Sequence, residues 1–157
     1  MELYHASTKV FCIGDEIKSA AVSSFYEEAT DAMDSGRPVN APARKTALYS
    51  ADSAEFALYF MLKQRVCRSE INLYRVEVKD PWKAVFSITH VIHRRIKQRR
   101  KISSLISEYW SPTKDWQFYE YLSPSFMVID KMDHPVIDMI GMGFKSRKDY
   151  DLADSIS

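Results

Sequence analysis

Strand-length apolar runs are scattered along the whole chain, with helix-length segments between them. Residues 2–5, Glu-Leu-Tyr-His, open an apolar and aromatic run, and Gly14-Asp15 then mark a turn. Residues 46–50 read as a short strand, and residues 71–78, Ile-Asn-Leu-Tyr-Arg-Val-Glu-Val, as the cleanest strand. Ile71, Leu73, Val76 and Val78 do not alternate perfectly, so this strand is expected to be buried on both faces or bulged. Residues 116–130 supply one or two more strands around Ser123-Pro124, and residues 135–144 another. Helical spacing marks residues 23–34, with Ser23 or Ser24 as N-cap, and a segment capped by Asp52 or Ser53 with Ala54, Ala57, Leu58 and Met61 on one face. Residues 86–110 read as mostly helical and amphipathic, and the last dozen residues as prone to fray. The fold class that follows is α+β, in a single domain over residues 1–157.

Composition excludes several classes. Hydrophobic residues make up 46% and charged residues 27% of the chain, as in ordinary globular proteins. Two cysteines, Cys12 and Cys67, imply no disulfide framework and fit a reducing cytoplasm. The opening residues lack the pattern of a signal peptide, and no apolar stretch approaches the ~20 residues that span a bilayer. A cytoplasmic protein without membrane association is expected. Net charge is +1, but residues 90–101 carry Arg94, Arg95, Lys97, Arg99, Arg100 and Lys101 and no acid. Without those six the chain would stand at −5. The positive field is therefore local.

Three segments stand out together: Leu3-Tyr4-His5-Ala6-Ser7, Ala47-Leu48-Tyr49-Ser50-Ala51-Asp52 leading into Ala57-Leu58-Tyr59-Phe60, and Phe118-Tyr119-Glu120-Tyr121. In this order they resemble the ADP-ribosyltransferase superfamily, in its His–Tyr–Glu branch. Tyr4-His5 with Gly14-Asp15-Glu16-Ile17 also resembles the small rifamycin-modifying members. The resemblance covers roughly residues 1–130. It implies two small antiparallel sheets with flanking helices, a cleft between them for NAD as co-substrate, and no metal. It also implies catalytic roles for His5, Tyr49 and Glu120. Two departures matter. Ala6 stands where the family often has Gly, and Phe118 stands where protein-arginine-modifying members carry Glu, so the acceptor is not readable from this motif.

The chemistry agrees with these residue types. Breaking the nicotinamide–ribose bond passes through an oxocarbenium-like state, which a carboxylate such as Glu120 stabilises. His5 suits a ribose hydroxyl. Tyr49 suits the flat nicotinamide, with Tyr59 or Phe60 as a second wall. Arg44 and Lys45, just before the Tyr49 strand, are candidates to meet a pyrophosphate, and the resemblance adds Ala6 and Ser7 to the cofactor-binding set.

Other readings compete. A single His near a strand end is usually structural, Tyr49, Tyr59 and Phe60 are each core candidates, and Arg44-Lys45 is by default a solvated loop. Ser7, Ser50 and the cysteines lack a nucleophile's partners, and His90 and His93 lack further ligands for a metal. Phosphate-binding glycine loops are absent, which excludes P-loop and Rossmann sites. The basic run is by default a solvated helix face. Its mutual repulsion favours an anionic neighbour, with nucleic acid first and an acidic protein second, and Tyr109, Trp110 and Trp116 follow it as candidate stacking surfaces. The expectation is a mono-ADP-ribosyltransferase acting on a macromolecule, RNA or DNA slightly preferred. The family context suggests a toxin of a toxin–antitoxin or phage-defence system with an antitoxin partner. A transferase acting on a protein or small molecule and a non-enzymatic nucleic-acid-binding domain are the alternatives.

Overall fold

A computed structural model describes residues 1–19 and 26–157. Seven strands form two antiparallel sheets among these residues. Sheet A has the order β1-β4-β7-β2, built from β1 (Glu2–Ser7), β2 (Glu16–Lys18), β4 (Asn72–Glu77) and β7 (Ser125–Met132). Sheet B has the order β3-β6-β5, built from β3 (Leu48–Ser50), β5 (Trp82–Val85) and β6 (Tyr119–Ser123). Five α-helices accompany them: α1 (Glu27–Ser35), α2 (Ala54–Lys63), α3 (Ile88–Lys97), α4 (Ser103–Trp110) and α5 (Met139–Asp154). The fold is α+β, as the scattered strands imply, and its strands form two small antiparallel sheets. No helix among the described residues is long and apolar enough to cross a membrane.

Among the described residues one isolated backbone bridge joins the two sheets. Tyr4 of β1 and Ala51, just after β3, exchange both backbone hydrogen bonds at 2.8 Å. The chain crosses from sheet B to sheet A at Pro124, between β6 and β7. Proline has no N–H to donate to a ladder, so a strand change there leaves no donor unpaired. The imperfect alternation of residues 71–78 is resolved by a register shift at Arg75/Val76 against β7. Leu73, Tyr74 and Val76 are all fully buried. Three apolar clusters follow. One fills the space between sheet B and helices α1, α3 and α4, one lies between the sheets, and one lies under α2.

Several elements depart from the sequence reading. Residues 139–154 form a helix rather than a strand, with Asp138 accepting from Gly141 N–H at 3.0 Å as its cap. The C-terminal residues are anchored: Ala153 is fully buried, and Arg95 donates to the Ala153 and Asp154 carbonyls at 3.4 and 3.0 Å. A cation at a helix C-terminus meets both unpaired carbonyls and the negative end of the dipole. The expected helix over 86–110 is two helices. Arg99 has φ 54°, a left-handed conformation that ends a helical run. Strand β5 was not anticipated. The N-cap expected at Ser23 or Ser24 lies outside the described residues. At α2 the cap is Ser53, which accepts from Phe56 N–H at 3.1 Å.

Candidate functional site

The three singled-out segments are separated by dozens of residues and become neighbouring strands. β1 meets Ala51 through Tyr4, and β3 pairs with β6 so that Ser50 faces Tyr121 and Tyr49 faces Leu122. His5 adds a side-chain link, with its Nδ1 2.6 Å from the Tyr49 carbonyl. A carbonyl only accepts, so Nδ1 carries the proton and Nε2 is left with a free lone pair. Burial lowers the His5 pKa below its ordinary value, partly offset by this bond. The neutral ring follows.

Strand alternation then divides the set. Tyr49, Leu122 and Glu120 share one face of sheet B, with Ala84 opposite Glu120. That face packs against α3 and α4. Leu48 and Tyr121 share the other face, in the cluster that contains Leu3 and Phe126. The His5 ring lies on this second side, 4.9 Å from the ring of Phe126. His5 and Glu120 therefore stand on opposite sides of sheet B. The structure brings their strands together but not their side chains.

Around Glu120 a dense polar cluster forms. Its Oε1 accepts from Arg44 Nη1 at 2.6 Å and from the Tyr109 hydroxyl at 2.5 Å. Arg44 also donates to the Tyr109 oxygen. The guanidinium lies 5.3 Å from the Tyr49 ring centre and 5.1 Å from that of Tyr109. Tyr49 closes the group by donating its hydroxyl to the Arg44 carbonyl at 2.8 Å. Arg44 is only 7% exposed and Glu120 8%. Burial raises the pKa of Tyr109 well above its usual value, and the neighbouring Glu120 adds to the rise. Tyr109 thus remains a protonated donor. Among the described residues nothing donates to Glu120 Oε2, which leaves one carboxylate oxygen uncommitted.

Arg44 is thus not the solvated loop cation or pyrophosphate contact expected from the sequence. It sits in a 3-10 turn, Arg44–Thr46, whose backbone N–H groups at Arg44 and Lys45 donate to Asp34 at 2.7 and 3.2 Å. Tyr59 and Phe60 belong to the cluster under α2, where Tyr59 stacks on Phe118 and Phe60 packs edge-on against Phe86. They do not wall the same space as the Tyr49 ring. Ala6 also joins that cluster, opposite Leu73 in the ladder. The Ser7 hydroxyl accepts from Lys9 N–H at 3.0 Å in the turn after β1.

No protein-family model matches the chain. No curated protein matches it either.

The basic run divides as well. Arg95 is 1% exposed and spent on the end of α5, so it is not available to a partner. Arg94 is ion-paired with Asp154. Lys97, Arg99, Arg100 and Lys101 remain exposed. The aromatic residues after the run are committed to the interior: Tyr109 is fully buried, and Trp110 and Trp116 are each 3% exposed. They are not a stacking surface. Trp116 instead donates to Glu108 at 3.0 Å, a carboxylate that also ties down Thr113 and Lys114.

Sequence reading missed two residues that build this region. Tyr109 reads in the sequence as a candidate stacking surface after the basic run, and nothing local marks it as a partner of a residue in another strand. Asp149 of α5 accepts from the backbone N–H groups of Gln117 and Phe118 at 2.8 and 3.0 Å, fixing the segment that leads into Glu120. An acid on the buried side of a helix is the one available signal for it.

Proposed function

We propose that this chain is an NAD-dependent ADP-ribosyltransferase with a macromolecular acceptor, nucleic acid by preference. The observation that carries the proposal is the adjacency of β1, β3 and β6. Three motifs that resemble those of one family in order also lie side by side in space.

The geometry changes the roles within that reading. Glu120 remains the group that stabilises positive charge at the ribose, through its uncommitted Oε2. Arg44 and Tyr109 hold Oε1 and so fix the carboxylate before any substrate arrives, which is what electrostatic preorganisation requires. The Tyr49 ring supplies the neighbouring aromatic wall. His5 acts from behind, holding the Tyr49 backbone through its carbonyl rather than sharing a ribose with Glu120. NAD would supply the ADP-ribosyl group, with nicotinamide leaving. The acceptor preference rests on the exposed cations at the end of α3.

The test is incubation with NAD labelled in the adenylate portion, together with total nucleic acid and protein. Release of nicotinamide with label retained in one fraction supports the proposal. One observation favours a second reading, a nucleic-acid-binding domain without catalysis. The carboxylate of Glu120 is buried in an ion pair, a common structural arrangement. Nucleic-acid binding without any nicotinamide release would select that reading.

A further inference from the structure

Between α2, α3 and α5 runs a groove of about 530 Å³ that none of the roles above uses. Its walls include Lys63 of α2, Arg94 of α3, and Phe144, Arg147 and Tyr150 of α5. We propose that this groove binds single-stranded nucleic acid and captures the acceptor. The inference deepens the acceptor half of the proposed function and rests on it for its biological meaning. The binding itself requires no catalysis.

Charge and aromatic character coincide here. Lys63 and Arg147 are exposed and form no ion pair among the described residues. Arg94 is engaged by Asp154, but a guanidinium carries five N–H donors and keeps some for a phosphate. Two carboxylates, Asp151 and Asp154, also line the groove. Lys63, Arg94 and Arg147 outnumber them by one within the lining, and four further exposed cations, Lys97, Arg99, Arg100 and Lys101, follow Arg94 in the chain. Phe144 is 69% exposed, a large open aromatic face among the described residues. Bases of a single strand stack on such a face, whereas those of a duplex are already stacked on one another.

Gly143 adds a separate indication. It lies inside α5, where glycine costs about 1 kcal/mol relative to alanine, and a Cβ there would meet nothing within 4 Å. The fold gives no internal reason for glycine at this position. A bare backbone beside Phe144 lets a ribose or base lie flat against the helix. From Phe144 to the end of α5 the groove extends roughly 15 Å at 1.5 Å per residue. That spans a few nucleotides, the low end of single-strand sites.

Fluorescence anisotropy tests this without NAD, using labelled 12-nucleotide RNA and DNA strands, their duplexes, a mononucleotide and an acidic 12-residue peptide. The expected result is binding of the single strands above the duplexes and the mononucleotide. Phe144→Ala should weaken it roughly tenfold with an unchanged salt dependence. Lys63→Ala and Arg147→Ala should each lower the salt slope by about 0.7. Circular dichroism melts should match the wild type for all three exposed positions. Absence of single-strand binding overturns the inference. So do equal duplex binding, a Phe144→Ala variant that binds as tightly as wild type, or preferential binding of the peptide. Loss of the transferase reading alone would leave these results unchanged, which separates the two claims.

Discussion

On the proposed reading Glu120 carries the chemistry, and its ion pair with Arg44 ties it into the interior. Its partner Arg44 is buried, so removing the carboxylate charge strands a guanidinium away from water. Breaking one side of such a pair costs about 3–5 kcal/mol, whereas removing both charges costs much less. Glu120→Gln alone therefore confounds catalysis with folding. Glu120→Gln combined with Arg44→Met separates them. The double variant should recover most of the melting temperature lost by Glu120→Gln and still transfer at least about 100-fold more slowly than wild type. Recovery of both would make the cluster purely structural. Tyr109→Phe removes the hydroxyl that bonds Oε1 and should lower stability by about 1 kcal/mol in urea titration. It should also slow transfer while the affinity for NAD holds.

His5 makes a pH prediction. Burial keeps its pKa below the ~6.5 of an unfolded histidine, so the unfolded chain binds the proton first as pH falls. The stability associated with a neutral His5 is fully present above about pH 6.5 and is lost on acidification toward the folded-state value. His90 and His93 are shifted the same way, again chiefly by burial, so the comparison must be internal. Wild type should lose more stability between pH 7 and pH 5 than His5→Asn, measured by chemical denaturation at both values. An equal loss would show that the His5 ring is not held neutral by the fold.

At the scale of elements, the sheets were largely legible and the helices less so. Strand β4 is announced by Leu73 and Val76, and the broken alternation of residues 71–78 foreshadows its register shift at Arg75/Val76. Strand β5, Trp82–Val85, is hidden because four residues, Trp-Lys-Ala-Val, after Asp80-Pro81 are too few to show a period and suit loop, strand or helix equally. Helix α5 was misread because Met139, Ile140, Met142 and Phe144 form an apolar run without a buried face of helical period. Several of them stay on the surface, Ile140 at 74% exposure. The candidate site was legible as strands but not as side chains. Which face a residue occupies depends on register, and one position separates the His5 side of sheet B from the Glu120 side. The burial of Arg44 was illegible for the same reason, since its partners come from β6 and α4.

Arg95 illustrates how an element is held by a residue that composition assigned to binding. Its two bonds to the last carbonyls of α5 tie the C-terminal helix to α3. Arg95→Met should destabilise the fold by roughly 1–3 kcal/mol, because buried carbonyls lose a charged donor. Arg99→Met and Arg100→Met, on the exposed turn, should stay within about 0.5 kcal/mol of wild type. Thermal melts of the three variants check the distinction. Equal losses would place all three in one structural class.

For the whole molecule, two regions divide the work. Sheet B and its buried cluster carry the proposed chemistry, and the cations along α3 and α5 carry the proposed capture of the acceptor. The segments that define the chemistry come from residues 3–7, 47–52 and 118–121, so the site exists only in the assembled fold. The most direct measurement is nicotinamide release from NAD by the purified protein with total cellular nucleic acid, following adenylate label into the acceptor. The expected result is stoichiometric release and labelling, abolished in the combined Glu120→Gln and Arg44→Met variant while its fold persists. Undiminished labelling by that variant, or no nicotinamide release by the wild-type protein with nucleic acid or protein acceptors, would contradict it.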